Sequence, residues 1–64
     1  MSLCIQSSEY NPETSEMIIT FQQRGTYKYF GVEQETFDKL QEAESQGSYF
    51  NERIRDSYTS ERIG

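Results

Sequence analysis

Two short runs hold the side chains suited to recognising a ligand. Tyr27 and Tyr29 flank Lys28, so on a strand their rings share one face. Such a face stacks on nucleobases, at roughly 1–3 kcal/mol per base. It serves equally as half-buried sheet packing, with Phe21 and Phe50 as partners and the hydroxyls at the edge. Asn51 and Arg55 are four apart, which places them on one stripe of a helix. Tyr58 falls on the same side. An arginine fork suits phosphate, and an amide reads a base edge. The same stripe also fits a solvated face with Arg55 paired to a carboxylate. Ser45 and Ser48 bracket Gly47. Their hydroxyls cap helices or, with nearby backbone N–H groups, hold a phosphate. Tyr27, Tyr29, Ser45, Asn51, Arg55 and Tyr58 are therefore the candidate ligand-binding set.

Catalysis has little to work with. The 64 residues include one cysteine and no histidine. There is no Gly-rich phosphate loop and no nucleophile elbow. Acid–base work needs perturbed carboxylates in a pocket. Glu33, Glu35, Asp38, Glu42 and Glu44 read instead as a solvated face. A structural zinc site usually takes four Cys or His ligands, so no metal or other cofactor is expected. Cys4 has no internal disulfide partner and reads as a small buried apolar residue. The formal net charge is −5, from eleven acidic and six basic residues. Long nucleic acid is disfavoured, because gripping its backbone uses a clustered excess of Lys and Arg. The start of the chain, Met1 to Ser8, has neither the basic start nor the apolar run of a signal peptide. No stretch has the ~20 apolar residues of a membrane span. A cytoplasmic, reducing location is expected.

The elements that position these residues follow from periodicity. Residues 3–8 alternate as a first strand. Asn11-Pro12-Glu13-Thr14 is a turn. Residues 17–21 form a second strand, β-branched and aromatic. Gln23-Arg24-Gly25 is a three-residue hairpin loop with Gly in the left-handed position, and residues 26–30 return antiparallel. That register puts Tyr27 opposite Phe21 and Tyr29 opposite Ile19. Both tyrosines then share a face with Met17, Ile19 and Phe21, while Ile18, Thr20, Lys28 and Phe30 share the other.

After Gly31 the period becomes helical. Phe37, Leu40 and Ala43 mark a first helix, with Glu33 and Glu35 at its positive end. Gly47 is the expected stop, Ser48 the cap of a second helix, and Phe50 and Ile54 its buried face. The tail from Thr59 to Gly64 is expected to fray. The fold class is α+β: a three-stranded antiparallel meander followed by two short helices on one face, a single domain over 1–64. One sheet face stays uncovered, and a domain this small is marginally stable alone. A homodimer through Ile18, Lys28 and Phe30 is expected.

Together these residues resemble a known family. Gly25-x-Tyr27-x-Tyr29, then Val32, then Ser45-x-Gly47-x-Tyr49-Phe50-Asn51-x-x-Ile54-Arg55 is similar to the KTSC domain, from Ser7 to about Ile63. That domain occurs at the C-terminus of some bacterial lysyl-tRNA synthetases, and as a free-standing small protein in bacteria and phages. The synthetase context implies RNA or tRNA binding. Glu33 stands where the family often has a proline, which makes the helix start less rigid.

The acidic balance points elsewhere: to a non-enzymatic module that binds a small nucleotide, and to sequestration of a signalling nucleotide such as a cyclic dinucleotide. RNA or tRNA binding is the alternative. A protein–protein interaction module is the second alternative.

Overall fold

Strand β2, Glu16–Phe21, sets the two sides of the molecule. Met17, Ile19 and Phe21 are buried, while Glu16, Ile18 and Thr20 between them are half-buried. This period-two burial means one sheet face carries the core. The computed structural model describes residues 4–64. Around β2 the order is β1 (Ile5–Asn11), β2, β3 (Gly25–Tyr29), α1 (Gln34–Glu42), α2 (Gln46–Arg53) and β4 (Ser60–Arg62). All strand pairs are antiparallel, in the spatial order β1-β2-β3-β4. The helices lie on the Met17–Ile19–Phe21 side. Val32, Leu40, Phe50 and Ile54 join those residues and Tyr29 in one buried cluster. Tyr10 closes one end: its ring stacks on Phe37 at 5.3 Å, and its hydroxyl donates to the Val32 carbonyl at 2.6 Å.

The α+β class holds, but the sheet has four strands rather than three. The tail does not fray. Ser60 to Arg62 pairs with Tyr29 to Tyr27 as β4. Ile63 and Gly64 donate to the Thr26 carbonyl, and Thr26 N–H donates to Gly64 O. All three β4 side chains are exposed, so the strand is held through its backbone and leaves no hydrophobic alternation in the sequence.

The β2–β3 hairpin shows a smaller correction. Its loop is Gln22–Arg24, one residue earlier than expected, so Phe21 faces Gly25, Ile19 faces Tyr27 and Met17 faces Tyr29. Each partner moves by two positions, which preserves the faces. The cause is a left-handed Gln23 (φ 69°) ahead of the left-handed Gly25 (φ 93°). Gly25 is also spatially required: a Cβ there would sit 2.6 Å from Gly64 O and 2.9 Å from the Arg62 guanidinium. Gly25→Ala is expected to cost about 1–2 kcal/mol from the positive φ, and more from displacing β4. Hydrogen exchange should show loss of protection in β4 first. Unchanged β4 protection would contradict this role.

Three further expectations are corrected. The first strand begins at Ile5 and runs to Asn11; Leu3 lies outside the described residues. Cys4 is exposed, because it precedes β1 and is tied only through its carbonyl to the Gln22 N–H. Gly47 does not stop a helix but lies buried inside α2. The cap is Ser45, whose side chain accepts the Ser48 N–H at 3.2 Å.

Ile18, Lys28 and Phe30 stand on the sheet face away from the helices, half-buried rather than open. Lys28 reaches Glu16 at 3.6 Å. Ile63 is the one exposed large apolar side chain among the described residues.

Candidate functional site

The core face of the hairpin and the buried side of α2 meet at an aromatic cluster. Phe50 projects from α2 and sets its ring edge-on to Phe21, with centroids 5.1 Å apart, and to Tyr29 at 5.5 Å. Tyr27 packs edge-on to Phe21 at 5.9 Å. These edge-to-face contacts fix the rings in place. They leave a cleft of about 220 Å³, lined by Phe21, Arg24, Tyr27, Tyr29, Phe50 and Arg55. Tyr27 is half-buried. Tyr29 is only 5% exposed, so its ring face is core and it offers the cleft little more than an edge. No hydrogen bond holds its hydroxyl among the described residues, and no buried side-chain oxygen there lacks a partner; the hydroxyl therefore reaches solvent.

The cleft draws together three of the six candidate residues. Tyr27, Tyr29 and Arg55 line it. Asn51 stands one turn before Arg55 and accepts its Nη1–H at 2.9 Å, which steers the guanidinium. Ser45 is engaged as the helix cap. Tyr58 is diverted: α2 ends at Arg53, helical spacing lapses, and the Tyr58 hydroxyl bonds Thr36 on α1 at 3.1 Å. Arg24 is the residue that sequence reasoning missed. It sits in the hairpin loop between two left-handed residues, and the turn delivers it to the cleft. The one available signal was a basic residue inside a predicted turn.

Charge is distributed unevenly. The ion pairs among the described residues are Lys28–Glu16 and Lys39–Glu35. Arg24 and Arg55 belong to neither, and no carboxylate lines the cleft. A chain of net charge −5 thus places two uncompensated guanidinium groups beside aromatic rings.

Residues 1–58 match the family model for the KTSC domain. The chain belongs to the KTSC domain family. It is similar to the crystal structure of a KTSC domain protein from Yersinia pestis, with 31% sequence identity and a TM-score of 0.94. That match covers 100% of this chain and 90% of the other. No curated protein matches the chain.

In this KTSC domain, burial pushes the Tyr29 hydroxyl up to about 12; Tyr27 adds in the same direction, and Arg55 opposes. The ordinary tyrosine value is 10.0. The folded state therefore keeps a proton that the unfolded state gives up, so folding stability falls as pH rises from 10 to about 12. Below that window the contribution is complete. Tyr29→Phe is expected to remove this alkaline loss. Urea unfolding at stepped pH checks it, and identical pH profiles for both proteins would contradict the assignment.

Proposed function

We propose that this KTSC domain is a non-enzymatic module that binds a small nucleotide in the Tyr27–Arg55 cleft. The observation that carries the reading is the pair of guanidinium groups, Arg24 and Arg55, facing an aromatic cluster with no carboxylate among the lining residues. Arginine grips phosphate and aromatic faces receive bases. The rest of the surface works against a long polyanion, because eleven acidic residues oppose six basic ones. The lining of arginines and aromatic rings supports a reading of the cleft as a binding site. The Tyr29 hydroxyl, at about 12, sits far from the neutral range that acid–base catalysis favours. A binder without turnover acts by sequestration, and a signalling nucleotide such as a cyclic dinucleotide is the proposed cargo.

A homodimer through Ile18, Lys28 and Phe30 complements this reading. The Ile18–Phe30 face lies away from the helices and from the cleft, so pairing there leaves each copy's cleft of about 220 Å³ open to its own ligand. Phe30→Asp is expected to yield a monomer by sedimentation; an oligomeric state identical to wild type removes this interface.

Calorimetric titration with mononucleotides, cyclic dinucleotides and a single-stranded RNA at two salt concentrations tests the function. A small nucleotide held by stacking and one or two arginines gives a shallow salt slope. RNA binding gives a steep one, since each neutralised phosphate releases counterions. Steep RNA binding with no small-nucleotide affinity would replace this reading with the RNA one. Silence from all three would leave the protein-interaction reading.

A further inference from the structure

The polar groups that line the cleft are alike in kind. Arg24 and Arg55 only donate. Phe21 and Phe50 have no polar side-chain atom, so Tyr27 and Tyr29 supply the rest. Each neutral phenol hydroxyl donates one hydrogen bond and can also accept. Asn51, beside Arg55, has one Oδ1 lone pair taken by the guanidinium and adds two N–H donors. The neighbouring backbone acceptors are also engaged. Phe21 O receives the Arg24 N–H at 3.5 Å, and Phe50 O receives the Ile54 and Arg55 N–H groups, each at 2.9 Å. Tyr27 and Tyr29 lie in β3, which is paired on both sides. Donors dominate the cleft, and the free acceptors among its lining side chains are the tyrosine lone pairs.

That asymmetry discriminates between bases. Adenine and guanine present equal ring faces, so stacking does not separate them. Their edges differ: guanine shows two acceptors, O6 and N7, whereas adenine shows a donor amino group beside N7. Arginine meets the guanine edge with two hydrogen bonds. Against adenine it turns N–H toward N–H, and a donor left without an acceptor is costly. The volume, about 220 Å³, falls below the ~300–1,000 Å³ of drug-sized pockets, which limits the cleft to one ring system with its phosphate at the rim.

We propose that the cleft selects 6-keto purines, so that guanine nucleotides rather than adenine nucleotides are its ligand class. This rests on the nucleotide reading of the cleft. One arginine reads the base edge and the other holds the phosphate.

Calorimetry on the whole chain with GMP, IMP and AMP at one salt concentration tests it. IMP and AMP share phosphate, sugar and ring size, so their difference reports the position-6 edge. IMP and GMP should bind at least about tenfold more tightly than AMP. R24Q and R55Q each exchange a pure donor for an amide that also accepts. The variant at the edge-reading position should narrow the IMP/AMP ratio, and the other should weaken all three ligands together. Thermal melts of both variants verify folding. Equal affinity for IMP and AMP overturns the selectivity and leaves nucleotide binding standing. A ratio unchanged in both variants overturns the assignment to the arginines. Binding of none of the three overturns the cleft reading and this inference with it.

Discussion

Phe50→Ala is expected to cost about 3–5 kcal/mol, the range for truncating a buried aromatic. Phe50 is only 2% exposed and sits where α2 meets the sheet, edge-on to both Phe21 and Tyr29. Each edge-to-face pair adds about 0.5–1.5 kcal/mol beyond area burial. A chain of 64 residues has a total stability of about 3–10 kcal/mol on the usual per-residue scale. The substitution therefore removes a large share of it, and a substantial unfolded fraction at room temperature follows. Few side chains are available to refill the space, since the buried cluster holds eight residues. Phe50→Leu retains most of the volume and should lose markedly less. Urea unfolding followed by circular dichroism checks the series. A loss below about 1 kcal/mol for Phe50→Ala would show that the α2–sheet contact is not the centre of the core.

The same residue shows why part of this fold was legible in sequence. Phe50 and Ile54 are one helical turn apart, and both are buried. Met17, Ile19 and Phe21 alternate, and the tyrosines share their face as the loop length required. In these stretches side-chain chemistry and backbone geometry agree. The misread features lack that agreement. Strand β4 is built from exposed Ser60, Glu61 and Arg62, and its backbone hydrogen bonds leave no trace in side-chain pattern. Gly47 resembled a helix stop yet lies inside α2, where its burial suits the absence of a side chain. Tyr58 kept helical spacing with Asn51 and Arg55 on paper, but the helix had already ended.

The cleft divides along the same line. Tyr27 and Tyr29 come from β3, whose faces periodicity predicts, and Arg55 comes from the turn just after α2, close enough to its end to stay beside Asn51. Arg24 comes from a loop, and its position depends on Gln23 adopting a left-handed conformation that glutamine seldom takes. A non-glycine residue held at positive φ next to a cleft-lining arginine is a conformational cost that local packing must offset. Its effect is to bring Arg24 to the lining of the cleft. Charge pattern added the remaining clue: in so acidic a chain, arginines without a carboxylate partner stand out once their neighbours are known.

Arg55→Ala should weaken nucleotide binding by roughly ten- to a hundredfold while leaving the fold intact. Arg55 is exposed, and its one side-chain hydrogen bond among the described residues is to Asn51. Exposed substitutions of this kind usually shift stability within about 0.5 kcal/mol. A hydrogen bond to a charged group is worth about 1.5–3 kcal/mol, which sets the expected loss of affinity. Arg24→Ala should produce a loss of similar size, because its guanidinium lines the same cleft. The double variant separates two mechanisms. Arginines that hold different parts of one ligand act almost independently, and their losses add. Arginines that share a single phosphate couple, and the double loss departs from the sum. A nucleoside without phosphate supplies the control. It should be insensitive to whichever arginine holds the phosphate and remain sensitive to the other. Calorimetry with GMP and guanosine, alongside thermal melts, completes the comparison. If Arg55→Ala unfolds the chain, Arg55 is a structural residue. If the folded variant binds GMP as tightly as wild type, the ligand does not touch this cleft.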